Sequence, residues 1–368
     1  MPLLPTYPQG AGSIQEMNRL IILGNGFDLA HGLKTSYSDF ILDYFQKSLD
    51  KFEHDDDLMK LEVGVNANEL KGIQSLKRLL FLLNDYKKYI TIAYSNKFLE
   101  TLMTRAALTN WVDIENIYYS LLRKHIPTTG KEELLDEEAV KTLNDELEQI
   151  RELLKTYLID SSKPDVGGWR LLIADFKSIF DQEFNKNEIH ADLHPTCKKP
   201  ANTYFLNFNY TATIKYHFQE TDERPDVINI HGQLNDDKNP MVFGFGDELD
   251  DAYARIERLN QNELFRHIKS FAYFQTPNYQ RLLRVVDSGP FQVYIIGHSC
   301  GLSDRTMLNY IFESDNCKSI KIFHHKDKGH FVTTTQEISR HFRDKASMRS
   351  KIVPFDKQNR CPQITDDF

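Results

Sequence analysis

The chain has 368 residues, 40% hydrophobic and 27% charged, with 24 Phe and 17 Tyr; this supplies a large apolar core and excludes a disordered protein. A formal charge of −8 gives no overall attraction to phosphate backbones or anionic lipid, so neither nucleic acid nor a membrane is an expected partner. Cys197, Cys300, Cys317 and Cys361 are scattered with no Cys-x-x-Cys pair, so neither a zinc ribbon nor a redox dithiol is suggested, and no metal is expected.

Met1 to Glu16 reads as a tail that lacks the basic start and apolar run of a signal peptide. No stretch nears the roughly 20 apolar residues that span a bilayer, and a soluble, cytoplasmic protein is expected. Arg19 to Leu23 (RLIIL) reads as a buried parallel strand that turns sharply at Gly24-Asn25-Gly26. A loop and a helix follow over Leu29 to Gln46. From about Lys47 to Thr156, apolar residues recur at three- and four-residue spacing, as in Leu134, Leu135, Val140, Leu143, Leu147, Ile150 and Leu154, which predicts a mostly helical block. Its charge run, Lys131 to Glu152, reads as the solvated face of an amphipathic helix. A linker is expected at Ser161 to Gly168 and another helix near Trp169 to Phe184.

Strand texture returns at Thr203 to Leu206, Val227 to Ile230, Met241 to Phe245, Gln292 to Ile296 and Ser319 to Phe323. With Arg19 to Leu23 these make six candidate strands, separated in several places by helical stretches, the pattern of a parallel sheet covered on both faces. The domain reading is an N-terminal tail (1–16), an α/β nucleotide-binding domain (17–46 and 200–335), a helical insertion (47–199) and a C-terminal segment (336–368).

In an open parallel sheet, ligands bind beyond the carboxyl ends of the strands. Here those ends read Gly24-Asn25-Gly26-Phe27-Asp28, Asn207 to Thr211, His231-Gly232, Gly244 to Asp247 and Gly297-His298-Ser299. Each alone is ordinary turn punctuation. Together they point to a phosphate-bearing ligand, since glycine lets backbone approach a phosphate and a helix start favours its charge. Asn209 and His231 each follow a strand and are expected to face one crevice. A satisfied structural histidine explains His231 about as well as function does, although Gly232 beside it would admit a substrate. His324 and His325 also end a strand, but neighbours there point to opposite faces, and both are read as structural. The dinucleotide fingerprint is incomplete, with Leu29 in place of its third glycine and Asp39 and Asp43 in a helical pattern; no Gly-Lys-Ser/Thr ending of a Walker loop is present.

ILGNGFDLAHGLKTSYSDF (Ile22 to Phe40), NWVDIE (Asn110 to Glu115), FLNFNYT (Phe205 to Thr211), NIHG (Asn229 to Gly232) and IIGHSCGLSDRTMLNYIF (Ile295 to Phe312) together resemble the bacteriophage abortive infection AbiH family. More distantly the motifs resemble sirtuin-like domains, in which a Gly-Ala-Gly turn, a Thr-x-Asn-x-Asp segment and a His-Gly pair surround NAD. That resemblance implies a Rossmann-like (sirtuin-like) parallel sheet with a large, mostly helical insertion. Gly24 and Gly26 match the turn glycines, Asn209 the ribose-side asparagine and His231 the catalytic histidine. Gly297, Ser299 and Asp304 match an adenosine-side Gly-x-Ser...Asp motif. Asn25 stands for the alanine, Asp28 for the serine and Thr211 for the aspartate. The four-cysteine zinc module of the deacylases has no counterpart, so lysine deacylation is not implied.

The resemblance thus implies an antiviral effector that binds NAD and hydrolyses it to nicotinamide and ADP-ribose. The implied catalytic residues are His231, as general base, and Asn209, holding the ribose or attacking water. Gly24, Asn25, Gly26, Phe27, Asp28, Thr211, Gly297, Ser299 and Asp304 form the implied NAD-binding set, with Gly24 to Gly26 cradling the diphosphate and Asp28 near the nicotinamide ribose. Asp113 and Glu115 are weaker candidates, because carboxylates at i,i+2 on a helix do not share a face, and Trp111 reads as a core anchor. Two rival readings stand beside this one: a non-catalytic sensor of NAD or an ADP-ribose derivative that controls a partner or the helical block, and an unrelated effector such as a nuclease in that block. Gating by the helical block or by homo-oligomer assembly, in answer to a phage-derived trigger, is expected of an NAD hydrolase that must spare its host.

Overall fold

The computed structural model describes residues 13–51, 53–64, 72–109, 113–127, 135–163, 166–222 and 224–364. Among these, eight strands form: β1 (Asn18–Leu23), β2 (Glu53–Asp55), β3 (Met59–Val63), β4 (Ile90–Tyr94), β5 (Thr203–Asn207), β6 (Asp226–Asn229), β7 (Phe291–Ile296) and β8 (Cys317–Phe323). Five of them make one parallel sheet in the order β6-β5-β1-β7-β8, and β2-β3-β4 make a separate antiparallel sheet. In the parallel sheet Leu23 is level with Asn207 on one side and with Ile296 on the other. The chain builds outward from β1 to β5 and β6, then returns to add β7 and β8 on the opposite flank. The reversal opens a crevice beyond the carboxyl ends of β1 and β7, where ligands of such sheets bind.

β1 is a continuous apolar run because both its faces are covered. Leu20 and Ile22 pack on one face with Val293, Ile295, Ile320 and Ile322, and Ile21 and Leu23 pack on the other with Phe205, Tyr294 and Ile296. Fourteen α-helices form among the described residues. α1 (Asn25–Ala30) and α2 (Tyr37–Leu49) follow β1; α3 (Leu76–Asp85), α4 (Lys97–Thr109), α5 (Ile114–His125) and α6 (Glu137–Ser161) lie in the helical block. α7 (Arg170–Phe180) and α8 (Thr213–Tyr216) flank β5. α9 (Asp251–Leu259), α10 (Lys269–Tyr273) and α11 (Asn278–Asp287) precede β7, and α12 (Arg305–Glu313), α13 (Lys328–His341) and α14 (Lys345–Lys351) follow it.

Local signals set these starts. Ser36 and Asp39 form a reciprocal capping box on α2, and Ser75, Asp113 and Asp136 accept from backbone N–H groups at the starts of α3, α5 and α6. Val140, Leu143, Leu147, Ile150 and Leu154 are the buried stripe of α6, as their spacing predicts. No helix among the described residues is long and apolar enough to cross a membrane, and all four cysteines are buried and free.

Several expectations are corrected. Residues 241–245 are not a strand: Phe243 and Phe245 turn into the core of the helical block, while the Gly244 and Phe245 N–H groups donate to Glu115 and to the His267 carbonyl. The sheet therefore has five strands, not six. The helical block contains β2, β3 and β4, each too short for its alternation to stand out from the helical texture around it. α7, read as part of the insertion, packs Leu172, Phe176, Ile179 and Phe180 on the parallel sheet, whereas α2, read as part of the sheet domain, packs Phe40, Ile41, Tyr44, Phe45 and Leu49 into the helical block. The C-terminal segment (336–368) packs on the parallel sheet, with Ile338 and Phe342 in the sheet core. The charge run is not only a solvated face: the Glu146 carboxylate accepts from the Lys97 and Phe98 N–H groups at the start of α4. Trp111, with Leu134 and Lys131, lies outside the described residues.

Candidate functional site

A cavity of about 650 Å³ lies over the carboxyl edge of the parallel sheet, within the size range of small-molecule sites. Its floor is the sheet edge: Gly24 to Gly26 after β1, Asn209 to Thr211 after β5, His231 after β6 and Gly297 to Ser299 after β7. The helical block closes it from above with Tyr37 of α2, Asp113 and Glu115 at the start of α5, and Leu154 and Leu158 of α6.

The glycines at this junction answer first to packing. A Cβ on Gly24 would sit 2.5 Å from the His298 Cα, and one on Gly297, whose φ is +67°, would sit 2.2 Å from the Phe27 nitrogen. Both distances are shorter than any real contact, so the ends of β1 and β7 could not cross this closely with side chains. The N–H groups of Gly24, Gly26 and Phe27 donate to the carbonyls of Ile296, Gly297 and Gly24, so these three amides are spent inside the protein. Gly232, expected to admit a substrate, is explained in the same way: at φ +84° its Cβ would fall 2.0 Å from the Pro240 carbonyl oxygen, and it does not line the cavity.

Asp28 is the buried anion of the wall, 1% exposed. Its Oδ2 accepts from the Thr211 hydroxyl at 2.6 Å and its Oδ1 from the Asn209 amide at 3.4 Å, while the same amide donates to the Gly24 carbonyl at 3.0 Å. Among the described residues no cation is paired with it. Burial pushes its pKa up to about 6, against the pull of Thr211 and Thr213. At the neighbouring mouth the Thr35 hydroxyl donates to Asn25 Oδ1 at 2.5 Å, which leaves the NH₂ of Asn25 as a donor.

The second polar centre is built around His231. Its Nε2 lies 3.0 Å from Asp304 Oδ1 and 3.3 Å from the Tyr273 hydroxyl. The Lys269 Nζ donates to Asp304 Oδ1 at 2.9 Å and to Glu115 Oε2 at 3.0 Å, and the Gly244 N–H donates to Glu115 Oε1 at 3.2 Å. Burial acts to raise the Asp304 pKa, but Lys269 and His231 outweigh it and hold this carboxylate well below its usual range. An ionised carboxylate only accepts, so a proton on Nε2 is favoured by Asp304, and the Phe208 backbone carbonyl also favours the protonated ring. Burial and then the Lys269 charge lower the His231 pKa, opposed by Asp304. His298, whose Nδ1 accepts from the Cys300 N–H at 3.0 Å, packs on Phe208 beside His231.

The cavity thus brings together Gly24, Asn25, Gly26, Asp28, Asn209, Thr211, His231, Gly297, Ser299 and Asp304. Phe27 is not among them: it is wholly buried on the opposite face, packed on His31, Phe176 and His217. Asp304, placed on the adenosine side by resemblance, is the partner of His231 and Lys269. The helical-face objection to Asp113 and Glu115 does not hold, because Asp113 is the cap of α5 and stands outside the helix; both line the cavity. His325 also lines it, while His324 is buried, its Nε2 3.1 Å from the Asp356 carbonyl oxygen. Sequence reasoning missed Lys269 and Tyr273, and singled out neither Tyr210 nor Ser303 within the motifs that contain them. His298 was visible only as part of Gly297-His298-Ser299, and a lone lysine between Ile268 and Ser270 carries no local signal.

A family model described as Bacteriophage abortive infection AbiH matches residues 20–325, a span that contains every residue of the two polar centres. No curated protein matches the chain.

Proposed function

The chain belongs to the bacteriophage abortive infection AbiH family, and from that premise we propose that it is an antiviral effector that binds NAD in the sheet-edge cavity and hydrolyses it to nicotinamide and ADP-ribose. One observation carries this reading: a buried carboxylate without a cationic partner among the described residues, Asp28, is held by Asn209 and Thr211 in the same cavity as the His231–Asp304 pair. The strand order, with its reversal between β1 and β7, supports a Rossmann-like and sirtuin-like placement of a dinucleotide across that edge.

Cleavage of the nicotinamide–ribose bond passes through a ribosyl cation of oxocarbenium character. A fixed anion in a site that excludes water stabilises such a charge without reorganising. Asp28 supplies that anion above its pKa of about 6. Asn209 donates to Gly24 and Asp28, and its carbonyl oxygen is left to accept from a ribose hydroxyl. His231, oriented by Asp304, takes a proton from water or a ribose hydroxyl as general base. Asn25 and Ser299, on the two sides of the Gly24–Gly297 crossing, offer side-chain donors to the diphosphate, in place of the turn amides that are already spent.

The test is incubation of the purified protein with NAD, with chromatography of nicotinamide and ADP-ribose, beside a His231→Ala variant. Nicotinamide release that is lost in the variant supports hydrolysis and places the base. Absence of both release and NAD binding refutes the NAD reading. A second reading, a non-catalytic NAD sensor, is favoured by one feature: His231 is 6% exposed and its Nε2 is engaged by Asp304 and Tyr273. NAD binding without release in the presence of infected-cell extract would select it.

A further inference from the structure

We infer that the helical block completes the reacting centre: Glu115, carried at the start of α5, is a positioning residue that acts through Lys269 and Asp304 on the proton affinity of His231. The chemistry attached to His231 rests on the NAD reading, but the electrostatic linkage does not.

Four groups from separate parts of the chain form one line. Glu115 comes from the helical block, Lys269 and Asp304 from the loops and helices on either side of β7, and His231 from the end of β6. Successive partners are 3.0, 2.9 and 3.0 Å apart. The Lys269 side chain is 0% exposed, so its charge is answered within the protein by two carboxylates and by nothing in solvent. Such a buried triad is a poor device for stability, because desolvating the ions cancels most of their attraction and apolar replacements are often as stable. Its placement against the histidine of the cavity gives it another use.

The groups facing His231 are Asp304, Lys269 and Tyr273, with His298 and Tyr210 on its flanks. Glu115 and the nearby Tyr37 stand beyond Lys269. With Glu115 ionised, the lysine charge is shared between two carboxylates and Asp304 keeps its hold on the imidazolium form. With Glu115 neutral or withdrawn, Lys269 belongs to Asp304 alone, and its positive charge bears on His231 and disfavours protonation. Burial, joined by the Asp304 charge, pushes the Glu115 pKa up to about 7, against the pull of Lys269. The helical block thereby acts on a histidine with which it shares no hydrogen bond among the described residues.

The experiment is titration of the His231 imidazole by NMR in the full chain, for wild type, Glu115→Gln and Lys269→Met, with the pH profile of nicotinamide release measured alongside. In Glu115→Gln the imidazole pKa falls by about one unit, and in Lys269→Met it rises by a similar amount. The acid limb of the rate profile follows each shift in the same direction. Should Glu115→Gln not fold, Glu115→Asp keeps the charge but draws it back from Lys269, and the fall is smaller and of the same sign. An imidazole titration that stays in place in folded variants overturns the inference, even if stability or rate is reduced, since a merely structural strut would do that. Shifts of the expected signs in a protein that releases no nicotinamide uphold the linkage and leave the NAD reading alone to fail.

Discussion

Replacing Asp28 with Asn separates the stability of this fold from its chemistry. The carboxyl group is 1% exposed and has its pKa pushed from 3.8 to about 6, chiefly by burial. A group whose folded pKa lies above its unfolded value contributes stability at low pH that is lost as pH rises through the folded pKa. The full difference of about 2 units is worth about 3 kcal/mol, and about 1.4 kcal/mol of it is lost between pH 5 and pH 8. Asn cannot ionise, and its geometry is accommodated: the carbonyl oxygen still accepts from Asn209, and the Thr211 hydroxyl can rotate to accept from the new NH₂. Urea unfolding of the two proteins is expected to show the variant gaining on wild type as pH rises from about 5 to 8, by about 1.4 kcal/mol, while nicotinamide release falls because the anion facing the ribosyl cation is gone. A stability difference that is flat across this range, or that grows toward acid, refutes the claim that Asp28 is a buried anion held at a cost. A variant that keeps full release refutes its proposed role.

Other consequences follow from particular contacts. Gly24→Ala puts a methyl group 2.5 Å from the His298 Cα and is expected to cost about 1–3 kcal/mol of overpacking, seen as a lower urea midpoint together with lost NAD binding; an unchanged midpoint contradicts the close crossing of β1 and β7. His31 and His217 form a buried imidazole pair with Nε2 atoms 2.9 Å apart, and burial lowers their pKa values to about 4 and about 3. Being depressed, these groups contribute stability that is present above pH 6.5 and is lost as pH falls below it. His217→Phe, placed among Phe27, Phe176 and Phe180, is expected to remove about 1.6 kcal/mol of the stability loss between pH 6.5 and 5. Equally steep acid sensitivity in that variant counts against the neutral pair.

Much of the α/β framework was legible because continuous apolar runs such as Arg19 to Leu23 and Gln292 to Ile296 are what a strand buried on both faces requires. β2 to β4 were hidden, since strands of three to five residues do not outweigh the helical periodicity around them. Residues 241–245 have the composition of a strand, yet Phe243 and Phe245 are buried in the core of the helical block instead. Trp169 and α7 show the same limit: an amphipathic helix announces that it will bury a face, not against which layer.

By itself the sequence determined which residues stand at strand ends, and therefore that Asp28, Asn209 and His231 share one edge: an apolar run buried on both faces must give way to polar groups where it leaves the sheet. Tertiary structure alone decided what those residues do to one another. That Gly24 and Gly297 are glycines because two strand ends cross, that Phe27 belongs to the core, and that Glu115 reaches His231 through Lys269 all depend on which distant segments meet. Such meetings are settled by strand order and core packing over the whole chain, and no local pattern of residue types carries that information.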